Sequence, residues 1–244
     1  MARIDDLLSE ALKHLPAKPD DSAQQAQKKR YSELVSQKVA LAIADELRHR
    51  GLKEARPAGE GELGDSGAER RMAGGLGAKK VDVTWATEEA GLLLAISVKT
   101  INFKDPRTRN YQKNLINRRG DMLMEAVTLH RRFPYAVLAG FFFLDKGAAS
   151  DGTEKRRSTF INAHSRLQLF TGRGDPAGRE EQFERFYLLL LTASPDAVDI
   201  QCFKVGDPDV SVPLSDVLDD LLCLVTQRNP DFYELRDGNI AKAT

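Results

Sequence analysis

Cysteine is scarce in this chain: Cys202 and Cys223 are the only two. Two cysteines without metal-ligand spacing make neither a disulfide scaffold nor a zinc site, so they predict free thiols in a reducing compartment. The four histidines (14, 49, 130 and 164) include no H-E-x-x-H pair, which argues against a zinc hydrolase. No Gly-x-Ser-x-Gly elbow occurs, and Gly74-Gly75-Leu76-Gly77 completes neither a P-loop nor a dinucleotide fingerprint. Charge of one sign is lacking overall, with 36 Lys and Arg against 36 Asp and Glu, so bulk charge names no partner. Long apolar runs are lacking too: Tyr135–Leu144 and Tyr187–Ala193 fall well short of the ~20 residues of a spanning helix, so no membrane partner is expected. The first residues, MARIDDLLSEALKHL, are amphipathic and contain acids, unlike a secretory signal, and predict a cytoplasmic protein.

The remaining pattern is that of a packed α/β chain. With 244 residues, 41% hydrophobic, the length suits a single domain over 1–244 with a core near 28–145 and a C-terminal extension over 146–244. A short helix opens the chain. Leu34, Val35, Val39, Ile43 and Leu47 recur at helical spacing and predict a long helix from Ala23 to about Arg50, ended by Gly51. Eight glycines between Gly51 and Gly77, with almost no large apolar residues, predict a flexible loop. Val81, Val83 and Trp85 alternate with polar residues, and LLLAISV is continuously apolar, which predicts two strands joined by a turn at Glu88–Gly91. Asn110–Arg132 reads as a helix stopping before Pro134, and YAVLAGFFFL as a buried strand, so strand, helix and strand form a βαβ unit. Phe183–Leu191 is ambiguous, Val198–Val205 reads as a strand and Leu214–Gln227 as a helix.

Chemistry concentrates on the hairpin. Asp82 on its first strand and Lys99 at the end of its second are placed to share one site, because antiparallel neighbours come within side-chain reach. Alone, such a pair is most often a surface ion pair. A carboxylate and a lysine beside a divalent cation, however, are equipment for activating water and stabilising a pentavalent phosphate.

GLGAKKVDVTW followed by LLLAISVKT resembles the core of the PD-(D/E)XK nuclease superfamily, the restriction-endonuclease-like fold. There an Asp is followed on the adjacent strand by a second acid, one residue and a Lys. Asp82 and Lys99 match; the second acid is Ser97, which cannot supply the missing charge. The resemblance spans about residues 28–145 and implies a central mixed β-sheet flanked by helices. It further implies Mg²⁺ or Mn²⁺ as cofactor, held by Asp82, the Val98 carbonyl and an acid moved to the following helix. Glu125 is the first choice for that acid and Asp121 the second, the two lying i,i+4 on one helix face. Glu33, preferred over Glu46, is the outer acid from the first long helix.

The implied activity is endonucleolytic hydrolysis of double-stranded DNA, in restriction or defence against foreign DNA, and many such enzymes pair as homodimers to cut two strands. Between Ser97 and Arg132 nine basic residues stand against three acids, a local excess that suits phosphates. Lys104, Arg107, Arg109, Lys113, Arg118 and Arg119 are the candidate nucleic-acid contacts, while Asp207, Asp209, Asp216, Asp219 and Asp220 form an acidic stretch elsewhere. The rival reading is a nuclease-like binding module that has lost cleavage, as Ser97 would permit.

Overall fold

A computed structural model of the chain describes residues 2–58, 71–194 and 197–243. Its centre is a five-stranded mixed sheet of β3 (Val83–Thr87), β4 (Gly91–Ile101), β5 (Val137–Asp145), β6 (Arg185–Ala193) and β7 (Val198–Lys204), side by side in that order. The inner pairs β4·β5 and β5·β6 are parallel and the outer pairs antiparallel. Parallel strands are covered on both faces, which is why β5 reads as the unbroken apolar run VLAGFFFLD instead of alternating. Helices α1 (Arg3–Lys13), α2 (Gln25–His49) and α5 (Leu214–Arg228) cover one face, packing on Ile96, Val98, Phe141 and Leu189. Helices α3 (Leu115–His130) and α4 (Thr159–Leu167) cover the other, against Ala95, Ile101, Phe142 and Leu188. The fold is therefore α/β with a mixed central sheet between helical layers.

The βαβ unit is present: β4 leads through α3 to a parallel β5. The ambiguous segment at 183–191 is strand β6, buried between β5 and β7. α4 carries little signal in the sequence, because its apolar residues Phe160, Ala163 and Leu167 are sparse in a polar stretch; Ser158 caps it by accepting from the Ile161 amide.

The glycine-rich segment departs from the expected loop. Residues 59–70 of the predicted 51–77 loop lie outside the described residues, but Arg71–Gly74 (β1) and Gly77–Lys80 (β2) pair as a tight hairpin. Gly77, at φ +135°, closes its two-residue turn, where only glycine is at ease, so glycines that read as loosening the chain instead reverse it. A last hairpin, β8 (Tyr233–Arg236) with β9 (Asn239–Lys242), packs back on the sheet through Tyr233, whose ring meets Trp85 edge-on at 5.0 Å.

Candidate active site

The end of β4 projects beyond its neighbour. β3 begins opposite Ile96, so from Ser97 onward one edge of β4 has no strand beside it. Asp82 fills that gap, one residue ahead of β3 and not within the strand as the alternation suggested. Its Oδ2 accepts the Val98 amide at 2.7 Å and lies 3.3 Å from Lys99 Nζ. Because the amide and carbonyl of one strand residue project to the same side, the Val98 carbonyl faces that open edge as well.

Alternation along β4 turns Ser97 and Lys99 toward the α3 layer, where Ala95 and Ile101 also point. There Glu125, 2% exposed, brings its Oε2 to 3.7 Å from Lys99 Nζ. One ammonium thus lies within reach of two carboxylates, whose nearest oxygens are within about 7 Å of each other. Burial alone would lower the Lys99 pKa, but the charges of Glu125 and Asp82 raise it above the ordinary lysine value, so the side chain stays an ammonium ion. Ser97 Oγ is buried with no hydrogen-bond partner among the described residues. Gly140 lies opposite Ser97 on β5, and a Cβ there would come within 2.9 Å of the Phe186 ring and the Met122 methyl, so a side chain at this position would push on both.

A cavity of about 690 Å³ opens over this point. Asp82, Val98 and Lys99 lie at its floor; one wall is α2 and the other the segment from Asn102 to Lys113 that joins β4 to α3. The joining segment is stapled from inside. Asp105 accepts the Arg107 and Thr108 amides at 3.0 Å each and the Lys113 ammonium at 2.6 Å; chiefly because of Lys113, the pKa of its carboxyl is held down to about 2. Tyr111 ties the segment to β5 through its hydroxyl, which donates to Asp145 at 2.6 Å.

Of the acids named from sequence, Asp82 and Glu125 meet at Lys99, and Glu33 lines the cavity on α2, 3.8 Å from Lys29. Asp121 does not join them. It is exposed on α3, 3.9 Å from Arg118, because the helix turns Glu125 inward and leaves position 121 toward solvent. Glu46 is buried on α2 in an ion cluster with Arg3 and Arg50, away from the cavity lining.

The basic stretch is divided. Lys104, Lys113 and Arg118 line the cavity with Lys99, whereas Arg107 and Arg109 are exposed on the joining segment outside the lining. Arg119 turns away to lie over the Phe170 ring. Arg131 and Arg132 sit at the far end of α3, ~20 Å from Arg118 at 1.5 Å per residue, with Arg131 paired to Glu180. The acidic stretch is likewise no bare patch, since Asp219 and Asp220 pair with Arg50 and Arg185.

The α2 wall is the part of the site that sequence reasoning missed. Gln25, Lys28, Lys29, Ser32, Ser36 and Gln37 share the cavity-facing stripe, legible as a polar i, i+3, i+4 pattern beside the more conspicuous apolar stripe.

The donors gathered around Lys99 match the needs of a hard divalent cation. Mg²⁺ is usually held by one or two carboxylates with the remaining positions left to water and substrate phosphate. Asp82 and Glu125 supply two carboxylates, Val98 a main-chain oxygen and Ser97 an unpaired hydroxyl, all oxygen donors. That set fits. No protein-family model matches this chain, and neither does any curated protein or solved structure at a significant level.

Proposed function

We propose that this protein is a Mg²⁺- or Mn²⁺-dependent nuclease that hydrolyses phosphodiester bonds of DNA. The observation carrying this reading is the pair Asp82 and Lys99 at the floor of a cavity whose walls hold further cations, with Glu125, buried outside the cavity lining, 3.7 Å from Lys99 Nζ. Asp82 and Glu125, with the Val98 carbonyl, are the groups that would hold the ion. When bound, such an ion polarises a phosphoryl oxygen and lowers the pKa of a coordinated water.

The chain's own residues do the rest. Lys99, kept charged by its two carboxylates, is the group that would orient the attacking water or offset charge gathering on the phosphate. Lys104, Lys113 and Arg118 hold the flanking phosphates. Glu33, in the cavity lining on α2, is the acid that would orient water.

The test is incubation of purified protein with single-stranded and duplex DNA, each separately, in Mg²⁺ or Mn²⁺, beside Asp82→Ala, Lys99→Ala and Glu125→Ala, read on whichever form the wild type cuts. The expected result is cleavage that each substitution lowers by roughly 10²- to 10⁴-fold. Cleavage undiminished in Lys99→Ala would refute the assignment.

A second reading has its own observation. The Lys99 ammonium already stands within 3.7 Å of both carboxylates, so the triad is also a partly neutralised ion cluster, one positive charge against two negative, of the kind a binding module retains after losing catalysis. That reading requires wild-type protein to bind DNA equally well in chelator and to take up no divalent ion by calorimetry.

A further inference from the structure

We infer that the cavity takes one DNA strand and excludes the intact duplex. The inference rests on the nuclease reading for its chemistry and adds the form of substrate that the site admits.

Its first support is the cavity's shape. The α2 stripe facing it runs from Gln25 to Gln37, twelve residues along the helix or ~18 Å at 1.5 Å per residue. The volume of about 690 Å³ along that stripe makes a narrow cleft, open on one side. One extended sugar-phosphate strand fits such a channel. A duplex, whose major groove alone is ~12 Å wide, does not.

Depth is the second support. The Asp82 and Lys99 side chains retain only 17% and 16% of their exposure, so a duplex resting on the rim does not bring a phosphate to them. Nor do the walls stand wide apart at the floor: Asn102 Nδ2 donates to Ser32 Oγ at 3.1 Å, and the Lys104 amide donates to Asp21 Oδ1 at 3.0 Å, linking the joining segment to α2 and the turn before it.

The lining suits a strand's charge. Six Lys and Arg side chains face three acids, a surplus of three positive charges. The remaining wall groups of α2, Gln25, Ser32, Ser36 and Gln37, are uncharged donors and acceptors able to follow phosphate and sugar without a preference for sequence.

The experiment is fluorescence anisotropy with a labelled 12-nucleotide oligothymidylate and a 12-base-pair duplex, in EDTA, for the wild type, Lys28→Glu and Ser36→Trp. The single strand is expected to bind the wild type at least about tenfold more tightly than the duplex, a difference of ~1.4 kcal/mol. Lys28→Glu is expected to reduce the slope of log K against log salt by roughly 0.7, the value for a single phosphate no longer neutralised. Ser36→Trp, filling one end of the channel, should weaken single-strand binding by about tenfold or more with unchanged circular dichroism. Duplex bound as tightly as the single strand overturns the inference, as does full single-strand affinity in folded Ser36→Trp. Binding is measured where metal-dependent hydrolysis cannot occur, so the two readings fail separately. Selective binding without cleavage of the same oligonucleotide in Mg²⁺ or Mn²⁺ refutes the nuclease and leaves the channel's occupant standing.

Discussion

Lys99 concentrates the energetic tension of the site. It sits 3.3 Å from one carboxylate and 3.7 Å from another, and Glu125 is almost wholly buried. Removing one member of a buried ion group leaves the others uncompensated, which costs on the order of 3–5 kcal/mol. Lys99→Met is therefore expected to lower stability by several kcal/mol, and adding Glu125→Gln to restore part of it, since an amide needs no counter-charge there. Urea unfolding of the two single variants and the double variant measures this coupling; strictly additive losses would mean that Lys99 and Glu125 do not interact. The result also bears on chemistry, because a lysine whose loss destabilises the fold is held in place before substrate arrives.

At the scale of elements, two junctions hold the layers in register. Gly51 ends α2 with φ at +95°, and a Cβ built there would lie 2.3 Å from the Ile240 carbonyl oxygen. Gly51→Ala thus combines backbone strain with a clash against β9, whose Ile240 amide donates to the Arg50 carbonyl at 2.8 Å. A loss of roughly 1–3 kcal/mol is expected, read as a lowered thermal midpoint. The second junction is Glu184, fully buried at the start of β6. Its carboxylate accepts from Arg173 at 2.8 Å, Arg228 at 2.7 Å and the Leu138 amide at 2.7 Å, and His130 Nε2 lies 3.3 Å away. Burial would raise its pKa, but the His130 hydrogen bond and charge, Arg228 and the Leu138 amide together hold it at about 2. A pKa lowered in the folded state contributes stability above the ordinary glutamate value of 4.5 and loses it as pH falls toward about 2. The shift corresponds to roughly 3 kcal/mol. Glu184→Gln is expected to be less stable than wild type at pH 7 by that order, with the difference closing between pH ~4.5 and ~2 in acid titrations of unfolding. A gap that stays constant across that range would show that the carboxylate's ionisation contributes nothing.

On the scale of the whole molecule, the C-terminal hairpin is part of the same packing unit as the sheet. Trp85, the chain's single tryptophan, is 4% exposed beneath Tyr233, and Tyr233 and Ile240 belong to the same apolar cluster as α2 and β4. Ending the chain after Arg228 is expected to shift tryptophan emission to longer wavelength and lower the thermal midpoint, while an unchanged spectrum would mean that the hairpin does not cover the core. Much of this architecture is legible in local sequence. The apolar stripe of α2, the continuous run of β5 and the Pro134 stop after α3 each state a period or a boundary that neighbouring residues decide among themselves. Asp82 and Lys99 can be paired for the same reason, since a hairpin joins residues close in sequence. α4 and β8–β9 are not legible in this way, because their few apolar residues are informative only against partners far along the chain. Among the candidate acids, sequence ranks Glu125 above Asp121 by resemblance, but only the docking of α3 on β4 turns one inward to Lys99 and the other to solvent. The same holds for the division of the basic stretch and for Lys28, Lys29 and their neighbours on the cavity wall. Sequence by itself determined α2, α3, β5 and the β3–β4 hairpin and the chemistry available to them, because helix and strand periods are local properties. Tertiary structure alone decided which charges share a low-dielectric floor and which pair off elsewhere, because that depends on how faces distant in sequence bury one another.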